Sequence, residues 1–276
     1  MRPGAPGRIG VLHPFPSLLD GIATGLIALL AGGTLPIALM AGTAMALLQT
    51  SIGATNDLCD IGHDRVARPQ KALPSGLVAP RHVATYAVLA SVAGLALALH
   101  LGWLAFSIGA AGFAVGLAYD VWLNRTAWSW LPYAIGLPLL PAFAWAAARA
   151  GLPPGVASLM ILGAVAGAAL SLGNGLVDLE DDAVAGRGGL ALRLGAVRAW
   201  GALAVLYALL LVVAALDVIA ATTRPLALSA FLAGAVSIIA GALGSRAASP
   251  PLRERAWELQ GIGVVLLAVA WLVASA

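Results

Sequence analysis

Cysteine is all but absent from this chain: Cys59 is the only one in 276 residues, so no internal disulfide can form and thiol content identifies no compartment. Charge is scarce as well, Asp, Glu, Lys and Arg making up 10% of the residues, and aromatic side chains account for 6%. The four histidines, His13, His63, His82 and His100, lie too far apart for metal-ligand spacing and read as structural or interfacial residues. Strict alternation of apolar and polar residues, the mark of a β-barrel wall, is also missing. What remains is 61% hydrophobic, rich in Ala, Leu and Gly, with a mean hydropathy of +0.96. Such usage excludes an ordinary soluble domain. An all-α, polytopic membrane bundle is the architecture that satisfies so apolar a backbone within lipid.

The net charge of +3 does not point to nucleic acid, because the basic residues form no continuous patch. Cutting the chain at its polar and Pro/Gly interruptions leaves about nine apolar segments, near 17–34, 36–55, 82–101, 103–121, 131–149, 155–176, 198–219, 225–244 and 257–275. Each approaches the ~20 residues that cross a bilayer. The basic, Pro/Gly-rich start reads as the lead-in to a first span rather than a removable signal. Gly32 to Pro36 and Leu152 to Gly155 are expected as tight turns. With nine spans, thirteen Lys and Arg residues fall on the side of the N-terminus and two, Arg149 and Arg224, on the other. The positive-inside rule then places the protein in the inner (cytoplasmic) membrane with its N-terminus in the cytoplasm and its C-terminus outside.

Against this apolar background stand two related nonapeptides, Asn56 to Asp64 (NDLCDIGHD) and Asn174 to Asp182 (NGLVDLEDD), which share Asn, Leu, Asp and Asp at places one, three, five and nine. Steps of four residues drift only about 40° around an α-helix, so Asn56, Asp60 and Asp64 line one face, as do Asn174, Asp178 and Asp182. One domain, 1–276, carrying two pseudo-repeated acidic sites is the simplest organisation. A lone Asp at a span end is ordinarily a solvated loop residue, but two copies at matching spacing are not explained that way. Facing carboxylates repel unless cations lie between them. Magnesium suits them, since it takes one or two carboxylates together with water and phosphate oxygens.

Between the first motif and the third span, Arg68 and Lys71 follow the carboxylates in a loop framed by Pro69, Pro74 and Gly76. They read as contacts to a phosphate group whose other oxygens lie on metal. Tyr119, near the end of the fourth span, points toward the same mouth, with Asn124 and Arg125 beside it, whereas Trp128 and Trp130 suit an interfacial belt. Arg187, in the Gly-rich turn after the second motif, is a further candidate to close over a diphosphate. Asp20 and Asp217 lie inside spans without an identifiable partner and are left unassigned.

These residues together resemble the UbiA superfamily of intramembrane prenyltransferases. That family pairs an NDxxDxxxD motif with a later DxxxD motif, here Asn56 to Asp64 and Asp178 to Asp182, and carries between them a segment of the type RPxRPxPSG, here Arg68 to Gly76. The resemblance spans the whole chain. Lys71 and Ala72 depart from the usual Arg and Pro, Asn124 replaces a Lys, Arg187-Gly188-Gly189 replaces a Lys with small hydroxyl residues, and His13-Pro14 stands where the first helix often opens Arg-Pro.

The resemblance implies a prenyl diphosphate donor, a small-molecule acceptor that is most often aromatic (a quinone precursor), and two Mg2+ ions. Asn56, Asp60, Asp64, Asn174, Asp178 and Asp182 then hold metal. Arg68, Lys71, Tyr119, Asn124, Arg125 and Arg187 meet the diphosphate. Asp57, Asp60 and Asp64 form the catalytic set, Asp57 or Asp64 orienting the acceptor or taking its proton. Trp103, Phe106, Tyr119 and Phe143 are candidate aromatic faces for an allylic cation. A divalent-cation transporter and a terpene cyclase on the same scaffold are the alternatives. Membrane lipid is the surrounding partner, and the oligomeric state is not read from sequence.

Overall fold

A computed structural model of the chain describes residues 13–149, 155–184, 186, 188–221 and 224–275. These fold into α-helices with one 3-10 turn, Leu123–Arg125, and no strand among the described residues. The helices are α1 (Pro14–Leu30), α2 (Leu35–Cys59), α3 (Ile61–Ala67), α4 (Pro80–Leu101), α5 (Trp103–Val121), α6 (Leu131–Ala148), α7 (Val156–Val177), α8 (Leu179–Val184), α9 (Leu190–Leu194), α10 (Ala196–Ala221), α11 (Pro225–Gly244) and α12 (Pro250–Ser275). Among the described residues eight are long and apolar enough to cross a membrane, and the 17-residue α1 is a shorter apolar helix, in keeping with a nine-span bundle. The all-α expectation therefore holds, and the chain is an integral membrane protein.

Proline sets many of the starts: α1, α2, α4, α6 and α11 each carry one in the first two positions, where its missing N–H leaves no bond unmade. Between α4 and α5 the chain reverses at Gly102, whose φ of 135° is open to glycine but not to a side-chain-bearing residue. The expected turn after the first span is present, with Gly32 at φ 86°. The expected turn at 152–155 lies mostly outside the described residues.

The long helices close into a ring, each of α1, α2, α4, α5, α6, α7, α10, α11 and α12 touching the next and α12 returning to α1. Lipid tails are as apolar as leucine, so such a ring is held by close packing of small residues more than by burial from water. At the α1–α2 crossing a Cβ on Gly42 would stand 2.6 Å from the Gly21 carbonyl oxygen, and at the α6–α7 crossing a Cβ on Gly167 would stand 2.2 Å from that of Tyr133. Large side chains such as Leu18, Ile22 and Leu26 face outward at helical spacing, while Ala23 and Ile27 point into the core.

One expectation needs correction. The motif residues do not lie on uninterrupted helices. α2 stops at Cys59 and α3 resumes at Ile61, with Asp60 between them at φ −98°, ψ 2°. α7 stops at Val177 and α8 resumes at Leu179, with Asp178 at φ −97°, ψ 7°. Both aspartates occupy the sparsely populated bridge region, the same one in each copy. Backbone bonds run through the first break, from the Asp60 N–H to Asn56 O (2.9 Å) and the Asp64 N–H to Asp60 O (2.8 Å), and the second resumes with the Asp182 N–H on Asp178 O (2.8 Å). The helix is interrupted at the fifth residue of each motif with nearly the same dihedrals, and the pseudo-repeat of sequence is thus a pseudo-repeat of backbone at that residue.

Candidate active site

Inside the ring lies a cavity of about 650 Å³, within the range of small-molecule sites. One end is polar, and both motifs reach it: Asn56, Asp60 and Asp64 from the α2–α3 break, and Asn174, Asp178 and Asp182 from the α7–α8 break. Arg68, Lys71, Tyr119 and Asn124 line the same end. Deeper in, the wall turns apolar, with Met45, Leu48, Phe113, Leu140 and Phe143.

The two acidic rows are tied together by the loop after α3. Arg68 Nη2 lies 2.6 Å from Asp178 Oδ1, and its Nε donates to Asp181 Oδ2 at 2.9 Å, so a residue just past the end of the first motif grips the second motif. Lys71 Nζ reaches Asp64 Oδ2 at 2.8 Å and Asp57 Oδ1 at 3.2 Å. Burial alone would lower the pKa of both cations; Asp178 and Asp181 outweigh it for Arg68, and Asp57 and Asp64 for Lys71, so both stand above their ordinary values and stay charged. The cations expected on a phosphate thus serve, in this structure, as counter-ions to the carboxylates.

Around this core, Asn56 Nδ2 donates to Asp120 Oδ1 at 3.1 Å, Arg125 Nη2 lies 3.6 Å from Asp60 Oδ1, and His63 Nε2 lies 3.7 Å from Asp182 Oδ1. Asn124 Nδ2 donates to the Asp120 carbonyl at 3.3 Å, while its buried Oδ1 has no donor. Tyr119 meets Tyr133 edge to face at 5.4 Å. The second motif is braced from behind by the buried Arg253, which donates to the carbonyls of Val177 (3.2 Å), Ala247 (3.0 Å) and Ala248 (3.3 Å) and to Glu180.

Most of the site residues expected from sequence therefore converge. Asp57 and Arg125 are exceptions in position: neither forms the cavity wall, Asp57 being buried between Lys71 and His13, and Arg125 lying outside over Asp60 and the Cys59 carbonyl. Arg187 lies outside the described residues. Two of the aromatic candidates are misplaced. Trp103 is 71% exposed and stacks on Phe106 at 5.2 Å, away from the cavity, whereas Tyr119 and Phe143 line it, joined by Phe113 and Tyr133. Asp217, without an identifiable partner in sequence, accepts from Ser158 Oγ at 2.7 Å. Sequence reasoning missed Asp120, Asp181, Arg253 and His13. Only His13 left a signal, as the residue standing at the first helix's Arg-Pro position.

Among the described residues no three His, Cys, Asp or Glu side chains form a closed metal cage. The donors at the polar end are carboxylate and amide oxygens on two separate motifs, with the orphaned amide oxygen of Asn124 beside them, a set that fits a hard cation sharing its coordination with substrate.

The family model described as "UbiA prenyltransferase family" matches residues 21–274. A curated relative, "Digeranylgeranylglyceryl phosphate synthase" of Halobacterium salinarum, is 36% identical over 121 residues, which cover 43% of this chain and 44% of the relative. The match thus spans less than half the length of that relative. Among solved structures, a UbiA homolog from Aeropyrum pernix K1 in its apo form superposes with a TM-score of 0.75 at 20% identity, over 94% of this chain and 97% of the other. A UbiA homolog from Archaeoglobus fulgidus bound to GPP and Mg2+ superposes with a TM-score of 0.69 at 16% identity, over 95% and 98%. At such identities the superpositions show the shared fold.

Proposed function

The chain belongs to the UbiA prenyltransferase family, and from that premise we propose that it moves a prenyl group from a prenyl diphosphate to the hydroxyl of a phosphorylated glyceryl lipid in a Mg2+-dependent reaction. The observation that carries this reading is one cavity with two chemistries. Its polar end gathers both Asn/Asp motifs and two cations, and its depth is apolar enough to shelter a prenyl chain. The name of the curated relatives supports a glyceryl phosphate acceptor over the aromatic one expected from the wider family.

In this reading two Mg2+ ions would be held by Asn56, Asp60 and Asp64 and by Asn174, Asp178 and Asp182. When bound, they supply positive charge that offsets the charge growing on the leaving diphosphate. Arg68 and Lys71 leave their carboxylates for diphosphate oxygens, and Tyr119 and Asn124 complete the grip. The C1–O bond breaks with its electron pair going to the diphosphate. Tyr119, Phe113 and Phe143 present π faces to the allylic cation, and the apolar wall keeps water from it. The acceptor oxygen then bonds to C1 and gives up its proton. The whole chain acts as one transmembrane unit, its acidic end facing the cytoplasm.

Purified protein supplied with labelled geranylgeranyl diphosphate, Mg2+ and a panel of glyceryl phosphate and hydroxybenzoate acceptors is expected to release diphosphate, in an EDTA-sensitive manner, and to prenylate the glyceryl phosphate. Folded Asp60→Ala protein that released diphosphate equally fast would refute the assignment. Prenylated hydroxybenzoate alone would return the acceptor to the aromatic class, and a cyclised product formed without acceptor would make the protein a terpene cyclase.

A further inference from the structure

We propose that His13 is the base that takes the proton from the acceptor, with Asp57 holding its imidazole in place; the inference rests on the prenyl-transfer reading and names a residue within the same site. His13 caps the N-terminus of α1 in the left-handed conformation, φ 43°, ψ 59°, one of two non-glycine residues at positive φ among those described. That backbone state is costly for an L residue and persists where the surroundings overdetermine it. Here α2 does so. A Cβ on Gly53 would lie 2.7 Å from the His13 ring, so the glycine makes the seat, and one turn further on Asp57 Oδ2 stands 3.3 Å from His13 Nε2.

The two members of the pair are placed differently. Asp57 is buried, is also held by Lys71 at 3.2 Å, and forms no part of the cavity wall. Its carboxylate cannot reach a molecule in the cavity. His13 keeps 30% of its side chain exposed and lines the wall with Gly53, Asn56 and Asp60. Nε2 is buried and lies 3.3 Å from Asp57 Oδ2, so one ring nitrogen faces a carboxylate and Nδ1 is the one not turned toward it. Asp64 is tied to Lys71 and is counted among the metal-holding residues, so it is a poor base. Asp20 also lines the cavity, but it lies seven residues along α1, about 10 Å deeper, whereas the reacting oxygen must sit at C1 beside the diphosphate.

The step balances. The C1–O bond to diphosphate breaks and its electron pair leaves with the diphosphate; the acceptor oxygen forms the new bond to C1; its proton passes to His13 Nδ1, and Asp57 stabilises the resulting imidazolium until solvent removes the proton. Without His13 the donor still ionises, but the oxonium formed at the acceptor reverts or water captures the cation.

The test uses full-length protein, Mg2+, geranylgeranyl diphosphate and whichever acceptor of the panel the wild type prenylates fastest. Asn tolerates the left-handed backbone, so His13→Asn is the first variant, and His13→Ala with added imidazole is the second. Expected are unchanged binding of the thiolo-diphosphate analogue of the donor, diphosphate release that continues with prenyl alcohol as the product, and a fall of roughly 100-fold or more in prenylated acceptor, the usual yield of a general base. Imidazole is expected to restore transfer to the alanine variant. Transfer within about threefold of wild type, or donor binding lost in step with transfer and no rescue, overturns the proposal for His13 alone. A similar loss in Asp20→Asn with His13→Asn unaffected moves the role to Asp20. Wild-type protein that releases no diphosphate, or forms no prenylated acceptor, overturns the prenyl-transfer reading and this inference with it.

Discussion

Replacing Arg68 by Gln and Asp181 by Asn, singly and together, isolates the bond by which the first motif's loop holds the second. The Nε–Oδ2 distance is 2.9 Å, with side-chain exposures of 20% and 29%. Two unit charges about 4 Å apart attract by about 4 kcal/mol at an effective dielectric of ~20. Partial exposure and the entropy of ordering a long side chain reduce that, and a coupling of about 1–2 kcal/mol is expected. Asp181 is not among the metal-holding residues proposed, so its substitution leaves the rest of the site charged as before. The coupling can be measured as a double-mutant cycle in reversible unfolding of detergent-solubilised, metal-free protein. Repeating the cycle with Mg2+ and the thiolo-diphosphate donor analogue is the decisive half. If Arg68 transfers to the diphosphate, the coupling falls below about 0.5 kcal/mol, because the arginine no longer faces Asp181 in either background. A coupling that is zero without ligand refutes the latch, and one that stays unchanged with ligand refutes the exchange of partners.

Other expectations follow from the same geometry. Asp60→Asn and Asp178→Asn, each at a helix break, should lower diphosphate release by about 10²–10³-fold while leaving the protein folded, and EDTA should do the same to the wild type, reversibly on adding Mg2+. Gly167→Ala puts a Cβ 2.2 Å from the Tyr133 carbonyl oxygen and should destabilise the bundle by about 1–3 kcal/mol, read as a lower unfolding midpoint in detergent. Arg253→Met leaves the Val177 carbonyl and Glu180 without their donor; a loss of about 2–3 kcal/mol is expected, with weaker donor binding as the second motif loosens. Lys71 has a pKa raised above 10.5, since Asp57 and Asp64 outweigh its burial. A raised lysine contributes its full stability below 10.5 and loses it as pH climbs through the higher folded value, so the stability gap between wild type and Lys71→Met should hold from neutral pH to about 10 and narrow only above that.

The bundle and the polar end of the cavity were legible in the sequence because both are written in local terms. Apolar runs of about twenty residues mark spans, and Asn and Asp at steps of four stand out against them. The break at Asp60 was not legible, since no proline at Cys59, Ile61 or Gly62 stops the helix and the interruption shows only in the Asp60 dihedrals. Long-range partners were hidden for the same reason. Asn56 finds Asp120 sixty-four residues on, Asp217 finds Ser158 fifty-nine residues back, and Arg253 finds Glu180 seventy-three residues back, each pairing fixed by which helices touch. His13 looked like an isolated histidine until α1 was laid on Gly53, and Trp103 looked like a cavity aromatic, yet it lies on the outward side of α5, whose Phe113 and Tyr119 face the cavity. Arg68 and Lys71 do line the polar end, but their resting partners were not foreseen, because a phosphate and a carboxylate attract a cation equally well on paper.

Those resting partners matter beyond the reaction. A pocket packed with acids would ordinarily depend on divalent ions for its integrity, and depletion of the ion would expose it to unfolding and proteolysis. This one carries built-in neutralisation in Arg68 and Lys71. A cell starved of magnesium is thus expected to keep the protein intact and idle, ready to resume work as soon as the ion returns.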